Sequence, residues 1–240
     1  MHAPVAASAL RCSARLRHTP PMSKSSPSVT DLLAKNRNWA EGKVASDPGF
    51  FKRLVAQQSP AYFWIGCSDS RVPANEIVGL DPGEMFVHRN VANLAPEQDA
   101  NYLSALQYAV QVLKVSHILV VGHYGCGGVL AALNNLHLGL IDHWLSPIRS
   151  LVRRHREELL ALPDDKTRHD RLCELNVLRQ VENVATNPFV LDAWDKGADL
   201  TVHGWCYSIE NGLVTDLEAR VRHIGEVDSV TALREENKGE

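Results

Sequence analysis

No apolar run in this 240-residue sequence reaches the length of about 18 residues that a membrane-spanning helix needs. Neither sign of charge dominates: 25 Lys and Arg stand against 28 Asp and Glu, for a net charge of -3. Nothing in that balance supports a nucleic-acid or membrane partner. Cysteine is sparse and odd in number, five in all, and Cys12, Cys173 and Cys206 have no partner at a suggestive spacing. A disulfide scaffold is therefore disfavoured, and a reduced, cytoplasmic protein with metal-binding thiols is expected. No internal repeat occurs. Acid is missing from the first thirty residues, which hold Arg11, Arg15, Arg17, Lys24 and several serines and prolines. Residues 1–28 read as a flexible extension, with Met22 a candidate working start. An organelle-targeting peptide is the alternative reading.

What remains fits one domain over residues 29–222, followed by a charged, loose tail over 223–240. Apolar residues at helical spacing predict a helix over 30–45, stopped by Asp47-Pro48, and a short one over 49–57. Strands are expected over 62–66, 85–88 and 118–122. Helices are expected over 73–79, 99–113, 127–134, 144–160, 171–186 and 188–195. Strands over 200–207 and 213–217 should form a hairpin through Asn211-Gly212. The alternation implies an α/β fold. Its mainly parallel central sheet is flanked by helices, with an N-terminal helical arm and a C-terminal antiparallel strand extension.

Two of the expected strands end in groups that bind metal. Cys67 closes the apolar run 61–66 and opens Cys67-Ser-Asp69-Ser-Arg71. His123 closes the run 117–122 and opens His123-Tyr-Gly-Cys126-Gly-Gly128. Two thiolates and one imidazole make a zinc set one ligand short of a tetrahedron, the pattern of a catalytic rather than a structural site. Both half-sites lie where a strand ends and a helix begins, the edge at which α/β folds gather ligands. The long separation of Cys67 from His123 excludes the compact spacing of zinc fingers and ribbons. A lone His-x-x-Cys is a weak signal, and the neighbouring Asp69, Arg71 and glycines strengthen it.

Three motifs occur in order: Cys67-Ser-Asp69-Ser-Arg71, His88-Arg89-Asn90-Val91-Ala92-Asn93 and Gly122-His123-Tyr124-Gly125-Cys126-Gly127-Gly128. In them the sequence resembles the β-class carbonic anhydrases, from about Leu32 to about Leu217. The resemblance implies zinc on Cys67, His123 and Cys126, and a homodimer or homotetramer. It also implies reversible hydration of carbon dioxide to bicarbonate and a proton by a zinc-bound hydroxide. Zinc lowers the pKa of a bound water from about 16 toward about 7, a figure taken from carbonic anhydrases themselves. Two thiolates leave less positive charge on the metal than three imidazoles do, so this water should be acidified less. In the family the aspartate matching Asp69 accepts a hydrogen bond from the hydroxide, and the arginine matching Arg71 holds the carboxylate. In a closed form that aspartate becomes the fourth zinc ligand.

By the same resemblance, Gln58, Phe86, Val91, Tyr108 and Gly127 form the substrate pocket, some of them from a neighbouring subunit. Trp64, Arg89 and Tyr207 match a regulatory bicarbonate site found in a bacterial subgroup. Strand alternation points Trp64 and Cys67 to opposite faces, so such a site would lie away from the zinc. Bicarbonate bound there would favour the closed form. Some proteins of this fold act instead on carbonyl sulfide or carbon disulfide, and the intact Gln58/Asp69/Arg71 set favours carbon dioxide. A zinc-stabilised binding protein without activity is the non-enzymatic alternative.

Overall fold

A computed structural model describes residues 28–55 and 58–235. Apart from Ser28, the extension read over 1–28, including Cys12, lies outside the described residues. These residues fall into two compact units, one ending at Arg53 and the other beginning at Leu54. In the first, helix α1 spans Val29–Ser46 and starts in a capping box: the Ser28 hydroxyl accepts from the Asp31 N–H, and the Asp31 carboxylate accepts from the Ser28 N–H. The chain leaves α1 at Asp47, as the Asp47-Pro48 pair predicts. Trp39 meets Phe50 and Phe51 edge-on where α2, Phe50–Val55, begins.

The second unit is built on a five-stranded sheet. The strands are β1 Tyr62–Cys67, β2 Met85–Asn90, β3 His117–His123, β4 Thr201–Tyr207 and β5 Val214–Val221. Their order is β2-β1-β3-β4-β5; the first four are parallel and β5 is antiparallel to β4. The expected α/β architecture, with its antiparallel C-terminal strand, is therefore present. Helix α3, Ala74–Ile77, follows β1. Helix α4, Ala100–Gln107, widens into a π-helical turn over Tyr108–Leu113 and stops at left-handed Lys114. Helix α5, Gly127–Leu133, follows β3.

One sheet face carries Phe63, Ile65, Ile118, Val120 and Val202 into a core with Tyr102, Leu106, Leu178 and Val181. The other packs Trp64, Leu119 and Val121 with Val72, Ala74 and Met85. Such strands, apolar on both faces, are what a parallel sheet buries.

The structure departs from the sequence reading in three places. The single helix expected over 144–160 is three: α6 Ile141–Trp144, α7 Ser146–Arg154 and α8 Arg156–Ala161. Pro147 in the first turn of α7 cannot continue a helix from before it. His155, between α7 and α8, is buried and paired with Glu158, which its charge alone would place on the wet side of such a helix. Next, α9 runs over Asp165–Ala185, starting well before Arg171, because Asp164 caps it by accepting from the Thr167 N–H. Helix α10, Pro188–Asp195, follows it. Third, the segment read as a loose tail carries a 3-10 turn, Ile224–Glu226, and helix α11, Val227–Glu235, whose Val230 is fully buried. No helix among the described residues is long and apolar enough to cross a membrane.

Candidate metal centre

Parallel pairing of β1 with β3 sets Gly66 beside Val121, so Cys67 and His123 emerge together at the carboxyl edge of adjacent central strands. Cys126 caps the N-terminus of α5. The three residues are buried, and their ligand atoms all lie within 4.8 Å of one another. Among the described residues this is the group of His, Cys, Asp and Glu that could hold a metal ion. The sulfurs of Cys67 and Cys126 are 4.0 Å apart. A tetrahedral centre with Zn–S bonds of about 2.3 Å would set them about 3.8 Å apart.

The imidazole is oriented for an ion. His123 Nδ1 lies 3.0 Å from the Tyr124 carbonyl oxygen. A carbonyl only accepts, so Nδ1 carries the proton and Nε2 keeps its lone pair. Nε2 is buried and has no hydrogen-bond partner among the described residues. An orphaned acceptor between two thiols is costly unless something binds it. The donor set, two soft sulfurs and one imidazole nitrogen, fits zinc. The two thiols are linked: the hydrogen bond from Cys126 lowers the Cys67 thiol pKa and favours its thiolate, while the same pairing and burial raise that of Cys126.

Asp69 and Arg71 stand at the rim. Arg71 donates to the Asp69 carboxylate from Nε at 2.9 Å, from the second guanidinium nitrogen at 2.7 Å and from its backbone N–H at 3.0 Å. This fork holds the carboxyl well below the usual carboxylate range. Asp69 Oδ2 is 3.7 Å from His123 Nε2, so the carboxylate borders the position an ion would take.

Several supporting residues have no signal at ligand spacing in the sequence. The Ala92 N–H donates to Cys67 Sγ at 3.4 Å from a left-handed backbone, φ 65°. That conformation is uncommon for a residue with a Cβ. It is held from α9, where Asn176 donates to the Ala92 carbonyl and Gln180 accepts from the Ala95 N–H. His169 donates from Nε2 to the Cys126 carbonyl at 2.9 Å.

Of the residues assigned to the substrate pocket, Val91 adjoins Ala92 and Gly127 directly follows Cys126. Phe86 and Tyr108 do not reach this centre. Phe86 pairs with Phe63, four residues short of Cys67 and so about 13 Å down the strand. Tyr108 packs on Phe86, ring centres 5.8 Å apart. Gln58 is exposed. Of the residues assigned to the regulatory site, Trp64 is buried on the sheet face away from Cys67, as alternation predicts, and Tyr207 packs in the same cluster. Arg89 is committed in part to backbone, donating to the Cys67 carbonyl at 2.8 Å and the Asp69 carbonyl at 2.6 Å. Cys173 and Cys206 are buried in the core.

Comparison with known proteins points one way. A family model described as carbonic anhydrase matches residues 62–214. A carbonic anhydrase of Emericella nidulans is 49% identical over 186 residues, covering 78% of this chain and 82% of its own. Among solved structures, a tetrameric β-carbonic anhydrase of Sordaria macrospora aligns with a TM-score of 0.77 at 39% identity, over 80% of this chain and 98% of its own. A Coccomyxa β-carbonic anhydrase in complex with acetazolamide aligns with a TM-score of 0.80 at 36% identity, over 86% and 96%. A bacterial relative, from Pseudomonas aeruginosa, is 35% identical. The likeness thus does not single out a bacterial subgroup.

Proposed function

The chain belongs to the β-class carbonic anhydrases, and from that premise we propose that Cys67, His123 and Cys126 hold zinc for the reversible hydration of carbon dioxide to bicarbonate and a proton. The observation that carries this reading is the buried, unpartnered His123 Nε2 between two thiols. Zinc bound there would supply the Lewis acidity that makes water a nucleophile near neutral pH. Asp69, kept ionised by the Arg71 fork, is acceptor-only. It therefore takes a hydrogen bond from the attacking water and aims the water's lone pair at the carbon of carbon dioxide. The Ala92 N–H, donating to Cys67 Sγ, steadies the thiolate. Val91, next to Ala92, and Gly127, next to Cys126, offer the incoming carbon dioxide apolar neighbours.

Phe86 lies about 13 Å down the sheet from its own centre, with Tyr108 packed on it. Their assignment to a substrate pocket therefore requires a homodimer in which they, with Gln58, serve the neighbouring subunit. The Sordaria relative is described as tetrameric, and pairs of such dimers would match it. The four described cysteines are free, which supports placement in the reducing cytoplasm.

A second reading adds regulation by bicarbonate at Trp64, Arg89 and Tyr207. What favours it is that Arg89 grips the carbonyls of Cys67 and Asp69. An anion drawing that guanidinium away would loosen the Asp69 turn and let the carboxylate close on the metal.

One set of measurements tests both readings: zinc content and stopped-flow hydration rate, with and without added bicarbonate. The parent should carry stoichiometric zinc and hydrate carbon dioxide, and Cys126→Ser should lose both. Full turnover in metal-bearing Cys126→Ser would overturn the first reading. Trp64→Phe should relieve inhibition by bicarbonate, and unchanged inhibition would overturn the second.

A further inference from the structure

The site described above leaves unused a chain of hydrogen bonds that ends beside His123. It begins at His155, whose Nδ1 donates to Glu158 Oε2 at 2.9 Å. Arg171 donates from Nε to Glu158 Oε1 at 2.6 Å and from its NH1 nitrogen to Glu174 Oε2 at 3.1 Å. The Tyr124 hydroxyl donates to the other Glu174 oxygen at 2.9 Å. The far end is buried: the side chains of His155, Glu158 and Arg171 are 0%, 5% and 14% exposed. One guanidinium thus orients two carboxylates, and the second of them receives the phenol.

Tyr124 is fixed at more than its hydroxyl. Its N–H donates to the Tyr207 carbonyl at 2.9 Å, at the end of β4. The next residue, Gly125, turns the chain with φ +72°, a conformation that favours glycine. Between these anchors lies the Tyr124 carbonyl, the acceptor for His123 Nδ1. An imidazole with its proton on Nε2 would have no lone pair for an ion at that atom. The partner of the other ring nitrogen therefore decides whether His123 is a ligand at all. A phenylalanine at position 124 would fill the same space but give α9 nothing to hold.

We propose that Tyr124 and Glu174 are positioning residues for His123: their phenol–carboxylate bond pins residue 124 so that its carbonyl keeps the neutral imidazole turned, with its proton on Nδ1 and the Nε2 lone pair free for a metal. Arg171, held by Glu158 and His155, keeps Glu174 in place. This inference rests on the zinc reading and goes beyond it, because it assigns residues that touch neither metal nor substrate.

The test is zinc affinity of the full chain, measured by chelator competition, for the parent, Tyr124→Phe, Glu174→Ala, Glu174→Gln and the Tyr124→Phe/Glu174→Ala double variant. Thermal unfolding is followed in parallel. Each of Tyr124→Phe and Glu174→Ala should lose about 10-fold in affinity, the low end of the scale seen when partners of a metal-bound histidine are removed, because the carbonyl itself stays. The double variant should lose no more than the worse single one, since both break one bond. Glu174→Gln keeps an acceptor for the phenol and should fall between Glu174→Ala and the parent. A residue that only props the fold would lower the melting temperature and leave zinc affinity alone. Affinities within twofold of the parent in both single variants, or losses that add in the double variant, overturn the proposal. Should Glu174→Ala not fold, Tyr124→Phe, which removes one oxygen, decides by itself. A parent that takes up no zinc overturns the metal reading, and this one with it.

Discussion

Removing the Arg71 side chain isolates what its fork contributes to the chemistry. Of the three hydrogen bonds it gives Asp69, two come from the guanidinium and one from the backbone N–H. Arg71→Ala deletes the first two and keeps the third. Charge-assisted hydrogen bonds contribute about 1.5–3 kcal/mol each when shielded. Here the Arg71 side chain is 56% exposed and that of Asp69 16%, so water replaces much of the loss. Discounted for solvent screening, the net cost of releasing the carboxylate is about 1–3 kcal/mol. That is about 5- to 150-fold in the population of correctly held Asp69.

Stopped-flow hydration at about pH 8.5, on protein of verified zinc content, should show kcat/KM falling by a factor in that range. Zinc stoichiometry should not change, since Arg71 touches no ligand atom. Arg71→Lys keeps the charge but not the planar fork, and should recover only part of the loss. Zinc-replete Arg71→Ala with kcat/KM within twofold of the parent would refute the reasoning, because Asp69 would then need no fork.

Two further perturbations test the fold that carries the site. A Cβ at Gly66 would fall 2.1 Å from Trp64 Nε1 and 2.8 Å from its Cδ1. Gly66→Ala should therefore cost about 1–3 kcal/mol in urea unfolding, as overpacked cores do, with Trp64→Leu restoring part of it; a Gly66→Ala protein as stable as its parent would show that the indole is not wedged there. At the other end of the sheet, burial, followed by His117 and Arg220, holds the His203 pKa at about 4. Unfolded histidine titrates near about 6.5, so between these values the unfolded chain binds the extra proton. The contribution of His203 is then complete above about pH 6.5 and declines as pH falls toward 4. With Arg222 adding to the repulsion and Asp216 opposing it, and with the ring only half-buried, the loss should be about 1–2 kcal/mol after discount. His203→Gln should flatten the stability profile across that window, and an unchanged slope would count against the assignment.

The sequence shows the candidate metal ligands plainly because metal binding demands particular atoms at strand ends, and those strands are apolar enough to be recognised. The neighbours of the ligands are hidden for the opposite reason. Ala92 acts through its N–H and Asn176 through a bond to a backbone carbonyl, so neither role selects a side chain that spacing could reveal. Glu174 meets Tyr124 only because α9 crosses the end of β3. The helix breaks at Leu145 and His155 escaped notice because Arg153, Arg154, Arg156, Glu157 and Glu158 look like one wet face, while His155 and Glu158 turn inward to each other. The tail misled through its charge: Val230 and Thr231 reach the core side of α11, where the Thr231 hydroxyl donates to Glu182 at 3.0 Å.

The pairing of β1 with β3 has a consequence far from any ligand. Side chains alternate along a strand, so sliding one of these two past the other by a single position would swing its ligand to the wrong side. Phe63, Ile65, Ile118 and Val120 are not metal-ligating side chains, yet they key the two strands like teeth in a rack. Their shapes set the spacing of the two candidate ligands. Enlarging or shrinking one of them should blur the alignment of sulfur and nitrogen before it melts the protein.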